Sequence, residues 1–131
     1  FSPDLITIDY LELLRPVRDI EKEYQAQQRI AEEIRGVAME FNILVWTATQ
    51  TNRQGRMVQV ITDAELGDSY GKIRTCDFAM SLNQSEEEFD NGVMRAYVIK
   101  SRNGRPRFSV HMGVDYGTLR MTEIDGGFDA D

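Results

Sequence analysis

Leu5-Ile6-Thr7-Ile8-Asp9-Tyr10-Leu11 is the stretch on which the fold turns. A short, mostly apolar run ending on an acid reads as a strand buried on both faces, with Asp9 at its carboxyl end. Residues 10–20 contain Pro16 and mixed charge and read as a loop. Residues 21–41 read as a long helix, because Ile30, Ile34, Val37, Ala38 and Phe41 recur at helical spacing and form one apolar stripe, which Asn42 ends. Ile43-Leu44-Val45-Trp46-Thr47-Ala48 reads as a second buried strand. Strand, helix and strand in that order make a parallel crossover unit, right-handed almost without exception.

Beyond this unit, residues 49–62 are polar and read as a loop. Residues 63–75 predict a short helix weakened by Gly67 and Gly71. Residues 77–82 predict a third strand, and 83–91, with Glu86-Glu87-Glu88, an acidic exposed loop. Two strands follow at 93–101 and 106–112. They meet at Asn103-Gly104, which suits a tight hairpin turn because both residues tolerate positive φ. A last short strand is expected at 118–122. The reading is one domain over 1–124 and an acidic flexible tail over 125–131.

Composition bounds the function. At 131 residues the chain is one domain at most, and 41% apolar residues suffice for a core and exclude global disorder. No apolar run approaches the roughly 20 residues needed to cross a bilayer, and no signal peptide is visible, so no membrane role is expected. The single Cys76 cannot form an internal disulfide and fits a reducing cytosol. The chain opens on Phe1-Ser2-Pro3 with a strand almost at once, and is expected to be a piece of a longer protein. A net charge of −7 argues against a broad nucleic-acid-binding surface. Basic residues nonetheless gather at Arg53, Arg56, Lys72 and Arg74, and at Lys100, Arg102, Arg105 and Arg107, which leaves a local basic surface open.

Four groups of residues can carry chemistry. Asp9, beyond the end of a strand in an open α/β sheet, can hold Mg²⁺ through water or simply cap a loop. Gln50, just past the second strand, can touch a γ-phosphate or orient an attacking water; as a residue it also reads as a solvated loop amide. Lys100 and Arg102 near a hairpin tip can reach a phosphate in a neighbouring subunit, or serve only as a solubilising end. Residues 53–75 can follow a nucleic-acid backbone, with Arg53, Arg56, Lys72 and Arg74 for charge and Tyr70 for stacking on a base. The lone His111 reads as structural. No Gly-rich phosphate loop ending in Lys-Ser or Lys-Thr occurs in the chain.

With those residues in view, the chain resembles the C-terminal part of the RecA-like ATPase domain of DnaB-type replicative DNA helicases, bacterial or phage. Leu5 to Leu11 resembles the family's Walker B strand. Thr49-Gln50-Thr51-Asn52-Arg53 resembles its γ-phosphate sensor motif, and the segment from Asp63 to Asp77 resembles the one holding its DNA-binding loop. Lys100-Ser101-Arg102-Asn103-Gly104 resembles the hairpin of its arginine finger and companion lysine. The resemblance spans residues 4–122. It implies an α/β, RecA-like P-loop NTPase core: a mostly parallel sheet with a C-terminal antiparallel hairpin, lacking the phosphate-loop strand. It further implies ATP and Mg²⁺ as cofactors in the parent protein, with Asp9, Gln50 and Arg102 at the nucleotide and Asp9 at the metal. Single-stranded DNA, a hexameric ring, a primase and a helicase loader are the implied partners, in a bacterial cytoplasm. Glu12 stands where relatives often carry Gln, and Gly67 where they often carry a basic residue. A RecA-like ATPase of the recombinase or circadian-clock type, or a truncated, non-catalytic RecA-like interaction module, are the alternatives.

Overall fold

The computed structural model describes residues 2–50 and 70–130, with side chains over 2–50 and 71–124. It divides at Cys76/Asp77 into two units.

The first unit is the expected crossover. Strand β1 (Leu5–Ile8) leads through a 3₁₀ turn at Leu11–Leu13 to helix α1 (Glu23–Phe41) and back to strand β2 (Leu44–Thr47). The strands are parallel, with Leu5 opposite Leu44 and Ile8 opposite Thr47. Helix α1 ends where Asn42 adopts the left-handed conformation (φ 50°, ψ 50°) and its N–H reaches the carbonyls of Ala38 and Met39. Arg29 pairs with Glu32 and Glu33 along the exposed face of the helix. Ile6, Ile8 and Val45 line one apolar pocket with Ile30, Ile34 and Val37 of α1. Ile30, only 2% exposed, and Leu11, 3% exposed, are the best-buried side chains of this unit.

The strands are not buried on both faces as expected. Alternation puts Leu5, Leu44 and Trp46 on the other face, where each is exposed, and only the α1 side is covered. The predicted helix over 63–75 is described as α2 (Tyr70–Thr75). Arg35 of α1 donates from Nη1 to the Thr75 carbonyl at 2.9 Å, satisfying an acceptor at the end of α2.

The second unit is a four-stranded antiparallel sheet in the order β3 (Phe78–Asn83), β4 (Val93–Ser101), β5 (Phe108–Asp115), β6 (Arg120–Ala130). The α/β class stands, but the antiparallel part is larger than a hairpin, because β3 and β6 flank it. Ala96, Tyr97 and Val98 of the central strand β4 form its buried centre. Buried Ser81 and Asn83 satisfy each other, with Asn83 Nδ2 donating to Ser81 Oγ at 2.9 Å.

Three local expectations are corrected. The acidic stretch is no loop: Glu86–Asp90 forms helix α3, started by a capping box. The Glu88 N–H donates to Ser85 Oγ, and Glu88 Oε2 accepts from the Ser85 N–H at 2.7 Å. The β4–β5 connection does not turn on positive φ at Asn103-Gly104. Positive φ falls instead on Arg107 (65°), whose N–H donates to the Val98 carbonyl at 2.7 Å. The last strand is longer than 118–122 and runs on to Ala130, through the stretch expected as a tail. Among the described residues, no helix is long and apolar enough to cross a membrane.

Candidate functional site

Parallel pairing makes the first unit's site. Because Ile8 and Thr47 are partners, both strands end at the same edge of their sheet. The pairing is extended there by Leu11, whose N–H donates to the Ala48 carbonyl at 3.0 Å, and by Thr47, whose Oγ1 donates to the Ile8 carbonyl at 2.9 Å. Asp9 and Gln50 therefore both lie beyond the carboxyl ends of the strands, and both are exposed. The Asp9–Tyr10 peptide bond is cis.

An acid and a neutral amide at such an edge suit a phosphate ligand with a hard cation. Among the described residues no group of three or more His, Cys, Asp or Glu could cage a metal. A single exposed carboxylate fits Mg²⁺, which keeps several waters and takes its other ligands from phosphate oxygens.

Behind this edge lies a cluster that reading the sequence did not single out. Lys72 of α2 donates from Nζ to Glu12 Oε1 at 2.8 Å and to Thr49 Oγ1 at 2.9 Å. The Thr49 hydroxyl also bonds the same Glu12 oxygen. The Lys72 side chain is only 11% exposed and that of Glu12 25%. Burial pushes the Glu12 carboxyl pKa up, but hydrogen bonds from Lys72, Thr49 and its own backbone N–H, with the Lys72 charge, outweigh it and hold the group below its usual value. Lys72, expected as a phosphate contact, is thus engaged inside the unit. Nothing local in the sequence marks this cluster, because its members are far apart along the chain.

The remaining expected DNA contacts divide. Tyr70 opens α2, and Arg74 lies exposed on it. Arg53 and Arg56 lie outside the described residues, as does most of the 53–75 segment.

The second unit holds Lys100 and Arg102. Lys100 is on β4 opposite Ala79, and Arg102 directly follows the strand. Arg102 is tied to Asp77, which precedes β3: Nε lies 2.8 Å from Asp77 Oδ1, and the Arg102 N–H donates to the Asp77 carbonyl at 2.9 Å. Asp77 is a further residue missed in the sequence. Its neighbour Phe78 pairs with Ser101, and that register brings it there.

No family model matches the chain. A DnaB-like replicative helicase of Enterobacteria phage T4 is 30% identical to it over 130 residues, covering 95% of this chain and 27% of the helicase. The chain thus spans about a quarter of the length of that curated relative. Among solved structures, an ATPase domain superposes with a TM-score of 0.80 at 20% identity, over 92% of this chain and 44% of that one. A DnaB-like replicative helicase, studied with its interactions with primase, gives a TM-score of 0.80 at 20% identity, over 92% and 31%. At this identity the solved structures speak to the fold.

Proposed function

We propose that this chain, which is similar in sequence to a DnaB-like replicative helicase and in fold to helicase ATPase domains, is the C-terminal part of the RecA-like ATPase domain of a DnaB-type replicative helicase, a motor that couples ATP hydrolysis to the unwinding of duplex DNA. The observation that carries the reading is the parallel pairing of β1 and β2 with Ile8 opposite Thr47, so that Asp9 and Gln50 both follow strand ends at one edge.

In this reading Asp9 helps to hold Mg²⁺ on the phosphates of ATP, and Gln50 contacts the γ-phosphate or orients the attacking water. Bound Mg²⁺ neutralises charge on the phosphate oxygens. Lys100 and Arg102 act on the nucleotide of a neighbouring copy, so the active form is a ring. Arg53, Arg56, Tyr70 and Arg74 meet single-stranded DNA through phosphate contacts and base stacking. Lys72 serves them indirectly, because its ammonium is held by Glu12 and Thr49. A primase and a helicase loader are the further partners, and the bacterial cytoplasm is the setting. The sequence match to a replicative helicase favours this reading over a recombinase, a clock ATPase or a non-catalytic module.

The test is strand displacement on a forked DNA duplex by the full-length protein. ATP-dependent unwinding that is lost on Asp9→Ala is expected. Absence of unwinding with ATP and Mg²⁺ present, or unwinding indifferent to Asp9→Ala, would overturn the reading.

A further inference from the structure

We infer that Glu12 is a positioning residue for Gln50: by gripping Thr49 and Lys72 through one carboxylate oxygen, it fixes the end of β2 from which Gln50 follows. This rests on the reading of Gln50 given above and deepens it.

Three observations carry it. First, Thr49 is the residue immediately before Gln50, and its hydroxyl is bonded both to Glu12 and to Lys72. A backbone segment leaving a strand has few restraints of its own, and a side chain held by two partners supplies them. Second, Glu12 also belongs to the turn that follows Asp9, where the Leu11 N–H is bonded to the Ala48 carbonyl. The acid and the amide of the site are therefore tied to each other through one short piece of chain on each side. Third, the cluster is poorly built for stability alone. Glu12 Oε2 is buried and has no hydrogen-bond partner among the described residues, while Oε1 serves both donors. A carboxylate oxygen buried without a partner is costly unless its placement serves something else.

A purely structural role predicts different behaviour. Displacing a group that must sit at a phosphate or a water costs of the order of 10²-fold in rate even when the altered residue is remote from the chemistry. Such a loss falls on kcat rather than KM if the contact matters in the transition state. A residue that acts through Gln50 has nothing left to lose once Gln50 is gone.

The experiment is steady-state ATP hydrolysis by the full-length protein and its Gln50→Ala, Glu12→Ala, Glu12→Gln and Glu12→Ala/Gln50→Ala variants, with thermal unfolding of each. Glu12→Ala is expected to lower kcat by the order of 10²-fold with KM for ATP unchanged. The double variant is expected to be no slower than Gln50→Ala alone. If Glu12→Ala does not fold, Glu12→Gln, which keeps the side chain's shape, carries the same comparison with Gln50→Ala. Glu12 variants that unfold earlier but keep wild-type kcat, or losses that multiply with that of Gln50→Ala, would overturn the inference and leave the role of Gln50 intact. Unchanged hydrolysis in Gln50→Ala itself would overturn the functional reading, and the inference with it.

Discussion

Arg102 and Asp77 hold each other by side chain and by backbone, at 2.8 Å and 2.9 Å, across the paired ends of β3 and β4. Both side chains are about half exposed (51% and 57%), so the ion pair contributes about 1 kcal/mol or less to stability. In the proposed function its effect is to aim a guanidinium rather than to hold the sheet together. Arg102→Ala in the full-length protein is therefore expected to shift unfolding by about 1 kcal/mol or less. The same variant should slow ATP hydrolysis by about 10³–10⁵-fold, as the loss of an arginine finger does elsewhere. Calorimetry and an ATPase assay on one preparation measure both. Hydrolysis that survives Arg102→Ala would make the residue an ordinary hairpin end.

The 131-residue chain alone is expected not to turn over ATP. Its sequence has no Gly-rich run ending in Lys-Ser or Lys-Thr, whose backbone N–H groups and lysine would cradle the phosphates. Hydrolysis by the purified chain, compared with its Asp9→Ala variant, is the measurement, and turnover that depends on Asp9 would contradict the expectation.

Acid should weaken the fold through two glutamates. Burial pushes Glu88 up, but hydrogen bonds from Arg95 and Ser85 outweigh it and hold the carboxyl low. Glu12 is depressed in the same sense by Lys72 and Thr49. A folded pKa below the unfolded value, about 4.3 for glutamate, gives stability that is complete above that pH and is lost as pH falls through the folded value. The unfolding midpoint should be flat above pH of about 5 and drop below about 4, and Glu88→Gln should flatten the drop. Ser85→Ala should cost about 1 kcal/mol at neutral pH by removing the cap of α3. A profile identical in Glu88→Gln would rule out this carboxyl as a source of the acid sensitivity.

Lys72 and Arg74 sit two positions apart on α2, and their substitutions probe the fold and the DNA contact respectively. Arg74→Ala should shallow the salt dependence of single-stranded DNA binding by about 0.7 in slope. Lys72→Ala should destabilise the fold by about 1–3 kcal/mol, since it takes the cation from a carboxylate that is largely out of solvent. Unchanged stability in Lys72→Ala would show that the ammonium of Lys72 is not tied to Glu12.

The crossover unit was legible in the sequence because its signals are local: an apolar stripe through Ile30 and Ile34, and short apolar runs ending in Asp9 and Ala48. What was misread also has local causes. The run of three glutamates drew attention to charge, while the cap formed by Ser85 and Glu88 was the better guide to α3. Asn103-Gly104 suggested a tight turn, but the connection closes on Arg107. Exposure of one face of β1 and β2 could not be read from apolar runs alone, since such runs do not say what covers them. The Glu12–Thr49–Lys72 cluster and the Arg102–Asp77 pair arise only when strand register and helix packing bring distant residues together.

The reading of a nucleotide site completed by a neighbouring copy is tested most directly by mixing subunits. Full-length Asp9→Ala protein lacks the acid at the sheet edge but keeps Arg102, and full-length Arg102→Ala protein has the reverse defect. Each alone should be nearly inactive in ATP hydrolysis. Mixed rings should regain activity, because some interfaces then pair an intact Asp9 with an intact Arg102. Recovery that rises and falls with the mixing ratio is the expected result. No recovery at any ratio, with mixed assembly verified, would contradict action of Arg102 across the interface.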